Sequence, residues 1–346
     1  MRISDFDYEL PEDLIAQHPL ERRDQARMLV LNRAEANWRD SQFAELPSYV
    51  RAGDCLVVNN TRVFPARLAG MREPSGGHVE LFLVRELEPL LWETLARPAR
   101  RLQKGAQITF GDGRLRATVA DTLENGRRVV RFSCRAVSFE SALEELGQTP
   151  LPPYIKRPAG TGASDRERYQ TVYARERGAI AAPTAGLHFT PRVMEEIEMR
   201  GARVIEITLH VGYGTFEPVR AEDLSEHSVA PEHSEISPEA AQAINAAREH
   251  GGRIIAVGTT TTRALESASD VKGRVGDGAR LAQLTITPGY KFRVVDALLT
   301  NFHLPRSSLL VLVSAFAGHG FALAAYAHAV RARYRFYSYG DCMLII

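Results

Sequence analysis

Gly178-Ala-Ile-Ala-Ala-Pro-Thr-Ala-Gly-Leu-His-Phe-Thr190 runs from a short apolar piece through a small-residue turn to His188, and Thr190-Pro191 then opens a helix. Thr is a good N-cap and Pro fits the first helical turn. A turn that carries Thr184 and Gly186 among small residues lets a ligand come close to the backbone. The unpaired N–H groups of the next helix end favour a carboxylate or a phosphate. Alone, the stretch reads more readily as an ordinary strand–turn–helix junction with a structural histidine. Repetition is what gives it weight, because strand, small-residue loop and helix keep alternating downstream, as they do in an α/β fold.

Val204 to Val211 reads as a strand with Ile205, Ile207, Leu209 and Val211 on one face and Glu206, Thr208 and His210 on the other. A face with a carboxylate, a hydroxyl and an imidazole is either solvated or lines a site with a general base. It leads into a second small-residue loop, Gly212 to Phe216, with Tyr213 and Gly214 as possible ligand contacts. The strand Arg253–Val257 then meets Gly258-Thr-Thr-Thr-Thr-Arg263 and another helix. That run lacks the Gly-Lys-Ser/Thr of a P-loop, yet Thr259, Thr260, Thr261 and a helix N-terminus could serve a small ligand. Leu299 to Arg306, with Asn301 and His303, precedes a long apolar element over Ser307–Phe316 and a helix near Phe321–Arg333.

Upstream, Pro11–Gln17 is expected as a short helix, and Met28–Leu31 and Asp54–Asn59 as strands. The second strand ends in Asn59, Asn60, Thr61 and Arg62, where α/β proteins place ligand contacts; a self-satisfied polar turn is the plainer alternative. From about Pro65 to Pro150 short alternating runs are separated by turn signals such as Asn125-Gly126, the pattern of a small antiparallel β-barrel. Residues 97–135 hold ten basic side chains, Arg97, Arg100, Arg101 and Lys104 among them, against three acidic ones. This is either a solvated face or a surface for a polyanion. The connector that follows interleaves Tyr154, Lys156, Arg157, Tyr169 and Tyr173, which could stack on bases and pair with phosphates. It could equally be a linker with a helix from Asp165.

The chain has 346 residues, 45% hydrophobic and 25% charged, with a net charge of +1, an ordinary globular composition. No run approaches the length of an apolar membrane span. The first residues are too polar and acidic for a signal peptide, which points to a cytosolic compartment. The three cysteines are far apart, which argues against a disulfide framework or a cysteine metal site. No metal-ligand spacing, Gly-x-Ser-x-Gly elbow or Gly-x-Gly-x-x-Gly turn occurs. Residue pattern alone therefore reaches acid–base chemistry on a small polar ligand beside a basic module. A non-catalytic RNA-binding protein, or a transferase with an incidental basic barrel, fits as well.

Taken together, Asp7–Pro11, Gln17-His-Pro19, Asn59–Arg62, Pro150–Ile155, Ala182–Thr190, Thr208–Phe216, Gly258–Arg263, Leu299–Pro305 and Tyr337–Asp341 resemble one family along nearly the whole chain. It is the S-adenosylmethionine:tRNA ribosyltransferase-isomerase family of queuosine biosynthesis. The resemblance implies a large mixed α/β domain (1–64 and 153–346) with an inserted antiparallel β-barrel (65–152) that contacts tRNA. It implies transfer and isomerisation of the ribosyl part of S-adenosylmethionine onto 7-aminomethyl-7-deazaguanine at the tRNA wobble position, with release of adenine and methionine. S-adenosylmethionine would be a cosubstrate, with no permanently bound cofactor, no metal and no obligate protein partner. Proton transfer would fall to His188, His210, Glu206 or His303. Arg62, Arg263 and the Thr259–Thr262 hydroxyls would hold polar or anionic groups, and the basic strip with Tyr154, Lys156 and Arg157 would meet the tRNA.

Overall fold

The computed structural model describes residues 1–135, 138–158, 160–212, 219 and 221–346. Tyr213 and Gly214 lie outside the described residues. The chain divides into two compact units: Met1–Arg62, Pro152–Lys156 and Gln170–Ile346 form one, and Val63–Leu151 with Arg157–Tyr169 the other.

The first unit opens with β1 (Arg27–Asn32), β2 (Asn37–Gln42) and β3 (Cys55–Asn59), and β4 (Thr61–Val63) carries the chain from it into the second. The expected helix over Pro11–Gln17 is a single 3-10 turn at Glu12–Leu14. Ile15 bridges to Phe336 and the Ala16 N–H donates to the Phe336 carbonyl, so tertiary pairing captures the backbone that a helix would have used.

The second unit contains β5 (Arg67–Glu73), β6 (Gly77–Glu88), β7 (Leu91–Arg97), β8 (Gln107–Phe110), β9 (Leu115–Thr122), β10 (Arg127–Cys134), α1 (Phe139–Leu146), β11 (Gly147–Gln148) and α2 (Ala163–Arg168). Its antiparallel sheet runs β11-β5-β6-β7-β10-β9-β8, and pairing of β5 with β8 closes six strands into a barrel. Alternation does the filling: Leu115, Ala117 and Val119 point inward from β9 while Arg116 and Thr118 stay exposed.

The chain returns to the first unit with β12 (Glu176–Ala179), which pairs with β4, then α3 (Pro191–Met199) and β13 (Arg203–Leu209). Next come β14 (Glu232–Ile236), α4 (Pro238–Glu249), β15 (Ile254–Val257), α5 (Thr259–Ser267) and β16 (Gly278–Ala282). It ends with β17 (Ala297–Asn301), α6 (Ser308–Ala317), α7 (His319–Arg331) and β18 (Cys342–Ile345). Nine strands form one mixed sheet in the order β16-β14-β13-β3-β15-β17-β18-β1-β2. The central strands β3, β15, β17 and β18 are buried at every position and are apolar but for Asn59, Thr300 and Asn301 at carboxyl ends, as strands covered on both faces should be. At the edge, β2 is mostly exposed and polar. The apolar Ser307–Phe316 run is α6, whose interior residues are buried. No single helix among the described residues is long and apolar enough to cross a membrane.

Candidate active site at the carboxyl edge of the sheet

Strands β13, β3, β15 and β17 are neighbours and run parallel, so their carboxyl ends share one edge. From β3 the chain adds β13 on one side, and from β15 it adds β17 on the other. The crevice outside β3 and β15 is therefore a topological switch point, the usual ligand position in open α/β sheets. The sequence motifs at Asn59–Arg62, His210, Gly258–Arg263 and Asn301–His303 all fall at or just beyond these strand ends. The 3-10 turn Thr184–His188 packs on β17 at the same edge.

One polar cluster forms where β3 meets β13. Asn59 acts as a strand extension: its amide donates to the Leu209 carbonyl at 2.8 Å and its oxygen accepts from the Leu209 and Thr61 N–H groups. Asn60 donates to Glu206 at 3.1 Å and accepts from the Thr208 hydroxyl at 2.8 Å. Glu206 also forms an ion pair with Arg175, so the carboxylate is engaged from two sides. The His210 Nδ1 lies 2.8 Å from the Thr61 hydroxyl. A Cβ on Gly178 would sit 2.6 Å from the His210 ring, so only glycine lets the imidazole lie across β12. His233 stacks near His210, with centroids 5.9 Å apart. Burial lowers the His210 pKa below its ordinary value, and the charge of His233 lowers it further. His210 is only partly buried, neutral at physiological pH and oriented, the state a general base requires.

A second cluster sits at the end of β17. The Asn301 amide donates to the Tyr337 and Ser338 carbonyls, which turns its oxygen toward His188 Nε2 at 3.1 Å. Nε2 is then the protonated nitrogen of the neutral ring and Nδ1 the unprotonated one. The ring packs on Phe43, and burial pushes the His188 pKa down to about 4. His303 is buried as well, at about 3, with Nε2 2.8 Å from the Thr300 hydroxyl and its N–H accepted by Tyr326. The structure thus separates the proposed proton-transfer residues. His210 follows β13 and the His188–Asn301 pair stands at β17, and these strands are three spacings apart in the sheet, about 14 Å.

Several other side chains singled out in the sequence are internally engaged. The Thr261 and Thr262 hydroxyls donate back to the Val257 and Gly258 carbonyls at 2.7 and 3.1 Å. Arg263 is buried, pairs with Glu232 at 2.6 Å, and donates to the Leu284, Ala230 and Ala282 carbonyls. The space over Gly186 is filled by the Tyr173 hydroxyl and by Thr171. Thr184 is half-buried and Arg62 exposed, whereas Thr259 and Thr260 are buried in the first turn of α5.

Within the barrel unit the basic residues divide sharply. Arg128 is buried and donates to the Leu102, Ala99 and Arg127 carbonyls. Arg127 pairs with Glu93 at 2.6 Å, Arg131 with Glu88 at 3.5 Å, and Arg114 with Glu145. Arg97, Arg100, Arg101 and Lys104 are exposed and form no ion pair among the described residues. Arg157 forms a two-pronged pair with Asp165. Lys156 is exposed, and its N–H donates to Gln17. Tyr154 packs on Tyr337 with the rings tilted by 31° and centroids 4.5 Å apart, and its hydroxyl lies 2.7 Å from that of Ser338. Tyr169 and Tyr173 are core side chains whose rings are not open stacking platforms.

The model of the queuosine biosynthesis protein family matches residues 3–345. The chain belongs to the queuosine biosynthesis protein family. A relative from Symbiobacterium thermophilum, named S-adenosylmethionine:tRNA ribosyltransferase-isomerase, is 52% identical over 346 residues and covers 100% of both chains. The crystal structure of an S-adenosylmethionine tRNA ribosyltransferase from Thermotoga maritima is similar with a TM-score of 0.56 and 35% identity, covering 99% of this chain and 100% of that one.

In this member of the queuosine biosynthesis family, sequence reading alone misses Arg175 and Glu232. Both are charged partners 31 residues from the side chain they engage. It also misses His233 and Gly178, which position His210. The alternation of β14, with Glu232 and Ser234 inward and His233 and Glu235 outward, carried a signal for the first. Nothing local signals Gly178.

Proposed function

We propose that the chain is an S-adenosylmethionine:tRNA ribosyltransferase-isomerase. It transfers and isomerises the ribosyl moiety of S-adenosylmethionine onto 7-aminomethyl-7-deazaguanine at the wobble position of tRNA, giving epoxyqueuosine and releasing adenine and methionine. The carrying observation is end-to-end similarity, 52% over the whole length of a relative with that name.

The residue chemistry is compatible with each step. The sulfonium acidifies the neighbouring ribose C5′–H, and a neutral imidazole is a suitable acceptor for that proton. His210 is the side chain best prepared for this role, being partly open, held by Thr61 and kept neutral. The His188–Asn301 pair shapes the turn opposite and presents an unprotonated Nδ1. Arg97, Arg100, Arg101 and Lys104 supply the electrostatic contact with tRNA.

The test is a product assay with S-adenosylmethionine and tRNA bearing 7-aminomethyl-7-deazaguanine, read by mass spectrometry. Adenine, methionine and the modified nucleoside are expected in equal amounts. Tight tRNA binding without adenine release would overturn the enzymatic reading, and S-adenosylhomocysteine as product would indicate methyl transfer instead.

A further inference from the structure

We propose that the N-terminus of α5 is the subsite for the amino-acid carboxylate of the sulfonium cosubstrate, an assignment that rests on the function proposed above. Helix α5 starts at the carboxyl end of β15, beside the switch point of the sheet. Its N-cap is Gly258, which has no side chain to offer. The first backbone N–H of this turn to find an acceptor is that of Thr262, on the Gly258 carbonyl at 3.1 Å; those of Thr259, Thr260 and Thr261 find none among the described residues. All three residues are buried, at 5%, 8% and 0% exposure, so water reaches these donors poorly. A buried helix end without partners calls for a ligand.

The second observation is independent of the helix end. The Thr260 hydroxyl is buried and has no hydrogen-bond partner, whereas its neighbours Thr261 and Thr262 bond their own helix. Side chains lean toward the N-terminus of a helix, and the Thr260 oxygen lies 3.6 Å from where a Cβ on Gly258 would stand. The next atom near that point is the Ala185 Cβ at 3.9 Å, so a Cβ on Gly258 would meet only ordinary contacts, whereas one on Gly186 would clash with the Tyr173 hydroxyl. Thr260 also lines a void of about 20 Å³ with His227 and the start of α6, a void that Gly258, Thr259 and Thr261 do not line; the His227 Nε2 is likewise buried and unpartnered.

The donor set selects the charge. Three amide N–H groups, a hydroxyl and the positive end of a helix dipole suit a monoanion. The guanidinium on the same helix, Arg263, is neutralised by Glu232. A phosphate dianion would lack the full positive charge it normally receives. The carboxylate is the one anionic group of S-adenosylmethionine.

The experiment is calorimetric titration of the intact protein with S-adenosylmethionine and with its decarboxylated analogue. Wild type should prefer the carboxylated ligand by about tenfold or more, the usual size of a charge-assisted hydrogen bond. Thr260→Val removes an unpartnered hydroxyl at constant volume, so the fold is retained; it should weaken S-adenosylmethionine several-fold and leave the analogue unchanged. Thr260→Ser should restore the preference. Equal affinity of wild type for the two ligands, or equal weakening of both by Thr260→Val, would refute the subsite. A variant altered only in tRNA affinity and its salt dependence would overturn it in favour of an RNA phosphate. Adenine release by wild type in the assay above separates the two questions: a protein that releases adenine but ignores the carboxylate keeps its function and loses this subsite.

Discussion

His188 and His210 stand at the same edge of one sheet, and their surroundings assign them opposite capacities. His188 is closed in by Phe43 and Asn301, with one nitrogen committed to an amide that is itself fixed by two carbonyls. His210 is partly open, touches a hydroxyl that can rotate, and faces a second imidazole. The lesson is that a histidine's chemistry follows from what occupies its second nitrogen and from whether substrate can reach it. Membership of a motif does not decide between the two.

The comparison can be broken most directly by His210→Ala. If His210 is the base, kcat for adenine release should fall by about 100-fold or more, with little change in thermal midpoint. His188→Ala should instead act on the fold. It leaves the Asn301 oxygen unpaired and opens a cavity against Phe43, at a cost of about 2–4 kcal/mol in denaturant unfolding. A stable His188→Ala protein with the activity loss expected of His210→Ala would invert the two roles.

Acid titration sharpens the contrast. The His188 pKa is about 4 in the folded chain against an ordinary 6.5, so the unfolded state binds the proton first as pH falls. Stability from this group is intact above pH 6.5 and is lost between there and about pH 4, by up to about 3 kcal/mol. His303 acts in the same direction. His188→Gln should flatten this part of the pH–stability curve. The pH–rate profile should respond to the other site: His233→Asn removes a charge that lowers the His210 pKa, so the acidic limb of kcat/KM should move to higher pH.

The smallest effect tests the same sealed-versus-open distinction in the barrel. Arg100→Glu with Arg101→Glu should weaken tRNA binding and reduce its salt slope by about one per lost phosphate contact, without altering S-adenosylmethionine affinity. Arg128, enclosed by carbonyls, should affect barrel stability when truncated. An unchanged salt slope in the double variant would return the exposed strip to a solvated face.

Much of the architecture is legible because periodicity is a local property. The two-faced reading of Val204–Val211 anticipates β13, where Ile207 and Leu209 are buried and Glu206 and His210 meet polar partners. The barrel is announced by alternation and turns, and β3 and β15 by short apolar runs. Long-range pairing leaves no such mark. Arg175 and Glu232 look like ordinary surface charges in the sequence, and Arg263 looks available until its acceptors are seen. The four-threonine run likewise does not disclose that two hydroxyls turn back on the helix and one does not. Tyr169 and Tyr173 sit beside basic residues in the chain, but packing takes their rings inward.

Arg263 has a consequence beyond its own contacts. Its guanidinium fastens α5 to Glu232 at the start of β14 and to the carbonyl of Ala282 at the end of β16. The first turn of α5 is thereby immobilised when the chain folds. A molecule arriving there meets donors whose conformational entropy has already been surrendered, and little reorganisation remains to oppose its capture. Releasing that fastening would strand a buried carboxylate and loosen the helix end together, coupling ligand affinity to fold stability through one side chain.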